Sequence, residues 1–170
     1  ISYTCNAGFI PHDSWIHDLN IGGGRIIGEA CHFIDLCRFF AGSKIVSVHA
    51  INLKEKKSPN DTVSISLEFE NGSIASINYF SNGNTSFPKE KIDIFQGGKT
   101  ISINNFKELK SYGFKNLRNR RLMRQDKGQL KCVSSFIDSI KNGLCNPINL
   151  EEIFEVSEYS IEASDIIKNK

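Results

Sequence analysis

No apolar run in the 170-residue chain approaches the roughly 20 residues that a membrane-spanning helix requires, so a helical integral membrane protein is not expected. The opening residues, Ile1-Ser2-Tyr3-Thr4-Cys5, lack the basic flank and apolar core of a secretory signal. Net charge is also scarce. At +2, composition requires neither nucleic acid nor an anionic surface as partner. The five cysteines (Cys5, Cys31, Cys37, Cys132 and Cys145) are odd in number and form no CxxC pair, which argues against a disulfide framework and for reduced thiols in a cytoplasmic protein. Cys5, His12 and His17 make only a faint zinc set, so no metal site is predicted. There is no GxSxG elbow for a serine hydrolase, and no repeat or low-complexity tract.

What remains suits one globular domain, because 170 residues at 39% hydrophobic support one core and are too few for two typical ones. Residues 1–5 read as a strand that ends at Asn6-Ala7-Gly8. Ile45, Val46, Val48, Ala50 and Leu53 suggest another. Residues 61–70 alternate cleanly through Val63, Ile65, Leu67 and Phe69, and Asn71-Gly72 then turns the chain into a return strand over 74–80. A second hairpin runs through 91–95, Gly97-Gly98 and 100–103, with a short strand at 108–112. Helical spacing marks 127–142, ended by Gly143, and a last helix that opens at Glu151-Glu152. The predicted class is α+β, an open and largely antiparallel sheet in meander order with helices on one face. Ser64, Ser66, Glu68, Ser76 and Asn78 give the sheet a polar second face.

The chain is organised around residues 22–42, where three glycines precede a run that stays free of glycine and proline from Gly28 to Gly42. This predicts a helix whose apolar face holds Ile27, Cys31 or Ala30, Ile34 and Phe40. His32 lies three residues after Glu29 and three before Asp35, so an imidazole sits between two carboxylates, uncovered on the side of Gly28. Such a histidine is either a structural hydrogen-bonding residue or a base. The preceding 9–21 loop carries Trp15 and His17 and reads either as a substrate loop or as a surface loop pinned by the tryptophan. The cations at 115, 118, 120, 121 and 124 form either a phosphate clamp or a solvated basic turn, and the turn is the favoured reading. Gly22, Gly24 and Gly28 are spaced GxGxxxG, behind a polar loop where a nucleotide-binding fingerprint needs a buried strand.

The pattern GGGxxxxxxxHxxDLxRxxxG resembles the opening of the second domain of the Gfo/Idh/MocA oxidoreductases, and residues 6–40 are similar to the branch reading NAG(Y/F)IPxDxWxHDxxxGGGRIIGExCHFxDLxRF. The resemblance implies a glyceraldehyde-3-phosphate-dehydrogenase-like C-terminal domain over residues 1–170, with the Rossmann domain and its lysine absent from this chain, which also begins without methionine, inside a strand. It implies NAD or NADP as cofactor, held mainly by that other domain, and a sugar or nucleotide sugar as substrate. It further implies His32 as base with Glu29 beside it, and substrate contacts from Asn6, Trp15, His17, Arg25 and Asp35. Gly23 and Gly24 are expected to approach the cofactor, and the sheet face to form a homo-oligomer. Where the family commonly has an aspartate, four residues before the histidine, this chain has Gly28, and Glu29 is placed to take over its polar role. The rival expectation is a sugar-binding or dimerisation module of the same fold without hydride chemistry.

Overall fold

The computed structural model describes residues 1–54 and 61–169. Eight strands form one sheet: β1 (Ser2–Asn6), β2 (Ile45–Asn52), β3 (Val63–Phe69), β4 (Ile74–Phe80), β5 (Glu90–Gln96), β6 (Lys99–Asn104), β7 (Glu108–Tyr112) and β8 (Arg120–Arg121). Their order across the sheet is β2-β3-β4-β1-β5-β6-β7-β8. The helices are α1 (Cys31–Ala41), α2 (Gln129–Asn142) and α3 (Leu150–Lys168).

Alternation dictates the inner face. Val63, Ile65, Leu67 and Phe69 of β3 and Ala75, Ile77 and Tyr79 of β4 are buried, while the residues between them turn outward. Gly72 turns the β3–β4 hairpin at φ 81°, and the Asn71 side chain donates to the last carbonyl of α1, Ala41, at 3.0 Å. The meander is interrupted at one place. β1 inserts between the two halves, parallel to β4 and antiparallel to β5. The segment joining β4 to β5 therefore steps past the end of β1, where the buried Asn6 side chain clips it by donating to the carbonyls of Asn84 (2.7 Å) and Phe87 (3.4 Å). A Cβ on Gly83 would lie 2.0 Å from Asn6 Oδ1, so the clip needs glycine opposite it. In β2, a register shift between Ile45 and Ser47 leaves Val46 facing outward while Ile45 and Val48 are buried.

α1 does not begin as a regular helix. Residues Ile26–Ala30 form a wide π-type turn ahead of it, and Gly42 closes it at φ 59°. The wide turn shifts the buried face from the expected Ile27 to Ile26, followed by Ala30, Phe33, Ile34 and Cys37. Phe33 stacks on Tyr3 with ring centroids 4.7 Å apart and lies 5.9 Å from Tyr79, which seats α1 over β1 and β4. α3 packs on β2 and α1 through Val156, Ala163 and Ile167. Glu155 joins these elements by accepting from Arg38 Nε (3.1 Å) and the Ile45 amide (2.6 Å).

α2 has the predicted apolar stripe, but the stripe is not in the core. Leu130 is 81% exposed, and Val133, Phe136, Ile137 and Ile140 are also exposed. The outer sheet face is the predicted polar one, with a row running His49, Ser66, Ser76, Ser2, Asp93 and Ser102.

The glycine turn before α1 is a close-packed feature at one residue. A Cβ on Gly22 would fall 2.6 Å from Ile16 Cα and the Trp15 carbonyl, whereas Gly28 has only the Gly22 carbonyl at 3.8 Å and no positive φ. Gly22→Ala is therefore expected to destabilise the chain by about 2 kcal/mol or more, and Gly28→Ala to stabilise it by about 0.5–1 kcal/mol. Thermal melts of the two variants check this; equal shifts would contradict it.

Candidate functional site

Arg25 is the buried node from which the site is built. Its side chain is 2% exposed, and its guanidinium forks to Glu29 (3.1 Å) and Asp61 (3.3 Å), donates to the Gly8 carbonyl (2.7 Å), and lies 5.0 Å from the Tyr79 ring centroid. Burial disfavours its charge, but Tyr79, Glu29 and Asp61 outweigh that and hold its pKa above the ordinary value. Asp61 in turn accepts from Ser81 Oγ at 2.7 Å.

Glu29 receives three donors: Tyr79 OH at 2.5 Å, Arg25 at 3.1 Å and Lys89 at 3.2 Å. Burial pushes its pKa up, yet the Tyr79 hydrogen bond and the two cations more than compensate and hold it below the usual carboxylate range. The Tyr79 hydroxyl is pushed far above its ordinary value by burial and by this carboxylate, so it stays a donor. Glu29 is thus a fixed anion and not a proton acceptor at neutral pH. Because its folded pKa lies below the unfolded one, the stability it contributes is complete above the unfolded value and is lost as pH falls through the folded one. Glu29→Gln should flatten the acid limb of stability against pH, measured by urea unfolding from neutral pH downward; an unchanged limb would contradict the assignment.

Above Glu29 opens a cleft of ≈ 620 Å³ lined by Tyr3, Glu29, His32, Phe33, Asp35, Lys89, Glu90, Phe106 and Lys127, with Gln129, Cys132 and Val133 of α2 along one side. His32 is exposed in its wall, and no hydrogen bond joins it to Glu29 or Asp35 among the described residues. Asp35 is raised, by partial desolvation first, with the His32 charge pulling the other way. On the opposite wall Glu90, 3% exposed, accepts from Tyr3 OH (2.5 Å) and pairs with Lys127. The cleft therefore combines one exposed imidazole and Asp35 with two deeper carboxylates, Glu29 and Glu90, already fixed by protein donors.

The structure brings His32, Glu29 and Asp35 into this cleft and leaves the other expected contacts outside it. His17, Gly23, Gly24 and Arg25 line a separate cavity of ≈ 210 Å³ with Asp61, Ser164 and Ile167. Asn6 is engaged by the 84–87 carbonyls, and Trp15 is 64% exposed on a single 3₁₀ turn, neither in a notch nor in the cleft. The amides of Gly22 and Gly23 donate to the Asp18 carbonyl and that of Gly24 to Ile16, so these three amides are not offered to a diphosphate. The cations at 115–124 are exposed around β8 and do not line the cleft. Among the described residues, no group of three His, Cys, Asp or Glu is placed to hold a metal, and no helix is long and apolar enough to cross a membrane.

Sequence reasoning missed Tyr3, Tyr79, Lys89, Glu90 and Lys127. One signal was present: Glu90 is in phase with Ile92 and Ile94, a carboxylate on the apolar side of its strand.

The family model described as the GFO/IDH/MocA C-terminal domain matches residues 2–95. No curated protein matches the sequence. Among solved structures, the chain is similar in fold to the UDP-N-acetylglucosamine 3-dehydrogenase of Acidithiobacillus ferrooxidans, at 15% identity and TM-score 0.77, covering 99% of this chain and 54% of that one. It is also similar to an oxidoreductase of Agrobacterium radiobacter solved with NAD+, L-tartaric acid and magnesium (16% identity, TM-score 0.71, 99% and 54% covered). A third is the aldose-aldose oxidoreductase of Caulobacter crescentus complexed with glycerol (16% identity, TM-score 0.68, 99% and 54% covered). The chain spans about half the length of these proteins.

Proposed function

The chain belongs to the GFO/IDH/MocA C-terminal domain family, and from that premise we propose that it is the substrate-binding half of an NAD(P)-dependent oxidoreductase that acts on a sugar or nucleotide sugar in the cytoplasm. The observation that carries the reading is the exposed imidazole of His32 in a cleft whose two deeper carboxylates, Glu29 and Glu90, are engaged by protein donors. Oxidising a secondary alcohol releases a hydroxyl proton, and a histidine within reach is the side chain suited to take it near neutral pH. His32 is assigned that proton, with Asp35 on the next turn of α1 beside it in the same cleft. Glu29 is a positioning residue: pinned by Tyr79, Arg25 and Lys89, it presents a constant negative charge on the cleft floor. The hydride leaving the substrate carbon would pass to a nicotinamide held by a separate nucleotide-binding domain, since the Gly22, Gly23 and Gly24 amides of this chain are bonded within their own turn.

The uncovered polar face of the sheet, bordered by exposed Ile51, Ile74, Phe95 and Tyr112, supports homo-oligomerisation through that face. Binding is testable on the 170-residue chain itself. Glucose and UDP-glucose, titrated separately, are expected to shift the His32 ring signals in NMR spectra while those of His12 and His49 stay in place. If neither carbohydrate moves His32, the cleft is not a sugar site and the reading fails.

A further inference from the structure

Two ammonium groups in the cleft are unaccounted for by proton abstraction. Lys89, just before β5, and Lys127, just before α2, come from distant parts of the chain and line the same cleft wall system. Each is anchored by a more deeply placed carboxylate. Lys89 Nζ lies 3.2 Å from Glu29, with side chains 49% and 28% exposed. Lys127 Nζ pairs with Glu90, with side chains 34% and 3% exposed. An ammonium carries three N–H donors, and each of these lysines gives one to its carboxylate. The charges are therefore layered, with negative groups beneath and cations with spare donors at the cleft surface. A carboxylate at Glu90, in phase with the apolar residues of β5, is unfavourable for packing alone; in this arrangement it fixes a cation at the mouth of α2. Asp35 is the remaining acid in the cleft, and the charges that act on it are those of His32, Glu152 and Arg38, not of either lysine.

We propose that Lys89 and Lys127 form an oxyanion site, so that the substrate is a sugar bearing a carboxylate or a phosphate, its charged group on the lysines and its hydroxyls towards His32. This rests on the cleft being a sugar pocket. The basic run at 115–124, for which a phosphate clamp is the less favoured reading of the sequence, does not line the cleft.

Calorimetric and NMR titrations of the 170-residue chain with glucose, glucuronate and glucose 1-phosphate test it, and the last two probes separate a carboxylate from a phosphate. At least one anion is expected to bind about tenfold or more tightly than glucose, and to weaken as salt rises. Lys89→Met and Lys127→Met should each weaken it about tenfold, and the Lys→Arg variants should retain it. Should Lys127→Met fail to fold with Glu90 left unpaired, the double variant Lys127→Met/Glu90→Gln supplies the same comparison. Glucose moving His32 with an affinity equal to both anions would overturn the oxyanion site and leave the sugar pocket standing. Anion binding that survives loss of both lysines but disappears in Arg120→Gln/Arg121→Gln would overturn it too. If no carbohydrate of either kind moves His32, the pocket reading itself falls.

Discussion

Arg25→Met is expected to cost about 3–5 kcal/mol, enough to remove a large part of the stability of a domain of this size. The magnitude follows from what is left behind. Methionine fills much of the volume, but Asp61 is buried and Glu29 half-buried, and both would lose the cation between them. Asp61, its side chain 6% exposed, would be left buried without its cation, and the Gly8 and Ala7 carbonyls lose their donor as well. Arg25→Lys should recover only part of the loss, because a point charge cannot serve two carboxylates and two carbonyls as the guanidinium fork does. The comparison variant is Lys127→Met. It also strips a buried glutamate of its cation, yet Glu90 keeps the Tyr3 hydroxyl and borders an open cleft, so the cost should be smaller. Urea unfolding of the three variants ranks them; Arg25→Met within 1 kcal/mol of the parent would mean that the network is not what holds α1 to the sheet.

Replacing His32 with Asn is expected to lower kcat by about 10²–10⁴-fold in the polypeptide that joins this domain to a nucleotide-binding one, with KM changed far less. Asparagine keeps the polarity and approximate size of the ring but cannot hold a proton near neutral pH. His32 is exposed and outside the core, so circular dichroism and melting should be close to those of the parent. The pH profile separates a base from a residue that only contacts substrate: the ionisation that limits kcat/KM on the acid side should vanish in the variant. A variant that retains that limb, or retains kcat and loses only KM, would move His32 from proton abstraction to binding.

These expectations rest on residues of unequal legibility. β3, β4 and their Asn71-Gly72 turn were readable because period-two burial and turn chemistry are local properties. So were His32, Glu29 and Asp35, which lie within seven consecutive residues of one helical segment. The position of β1 between β4 and β5 was not, since neighbours in a sheet need not be neighbours in sequence. Ahead of α1 the buried position moved from Ile27 to Ile26, because the π-type turn adds backbone that a 3.6-residue period cannot register, while Ala30 and Ile34 are buried as expected. Arg25 looked available for ligand because its nearness to Asp61 and Gly8 exists only in three dimensions. Lys89, Glu90 and Lys127 escaped notice for the same reason. The inverse case is the 127–142 helix, whose apolar period was real although the chain itself leaves that stripe exposed.

The seat of β1 also governs how the molecule can assemble. Its partners along the chain are 74 or more residues away, at Ser76 to Phe80 on one side and Glu90 to Asp93 on the other. A ribosome therefore releases β1 well before either neighbour exists, and the apolar side of that strand must wait in solution or in a chaperone until both hairpins have closed. Cotranslational folding should accordingly proceed outside-in, with the earliest-made strand zipped into place last and its docking setting the pace of the whole reaction.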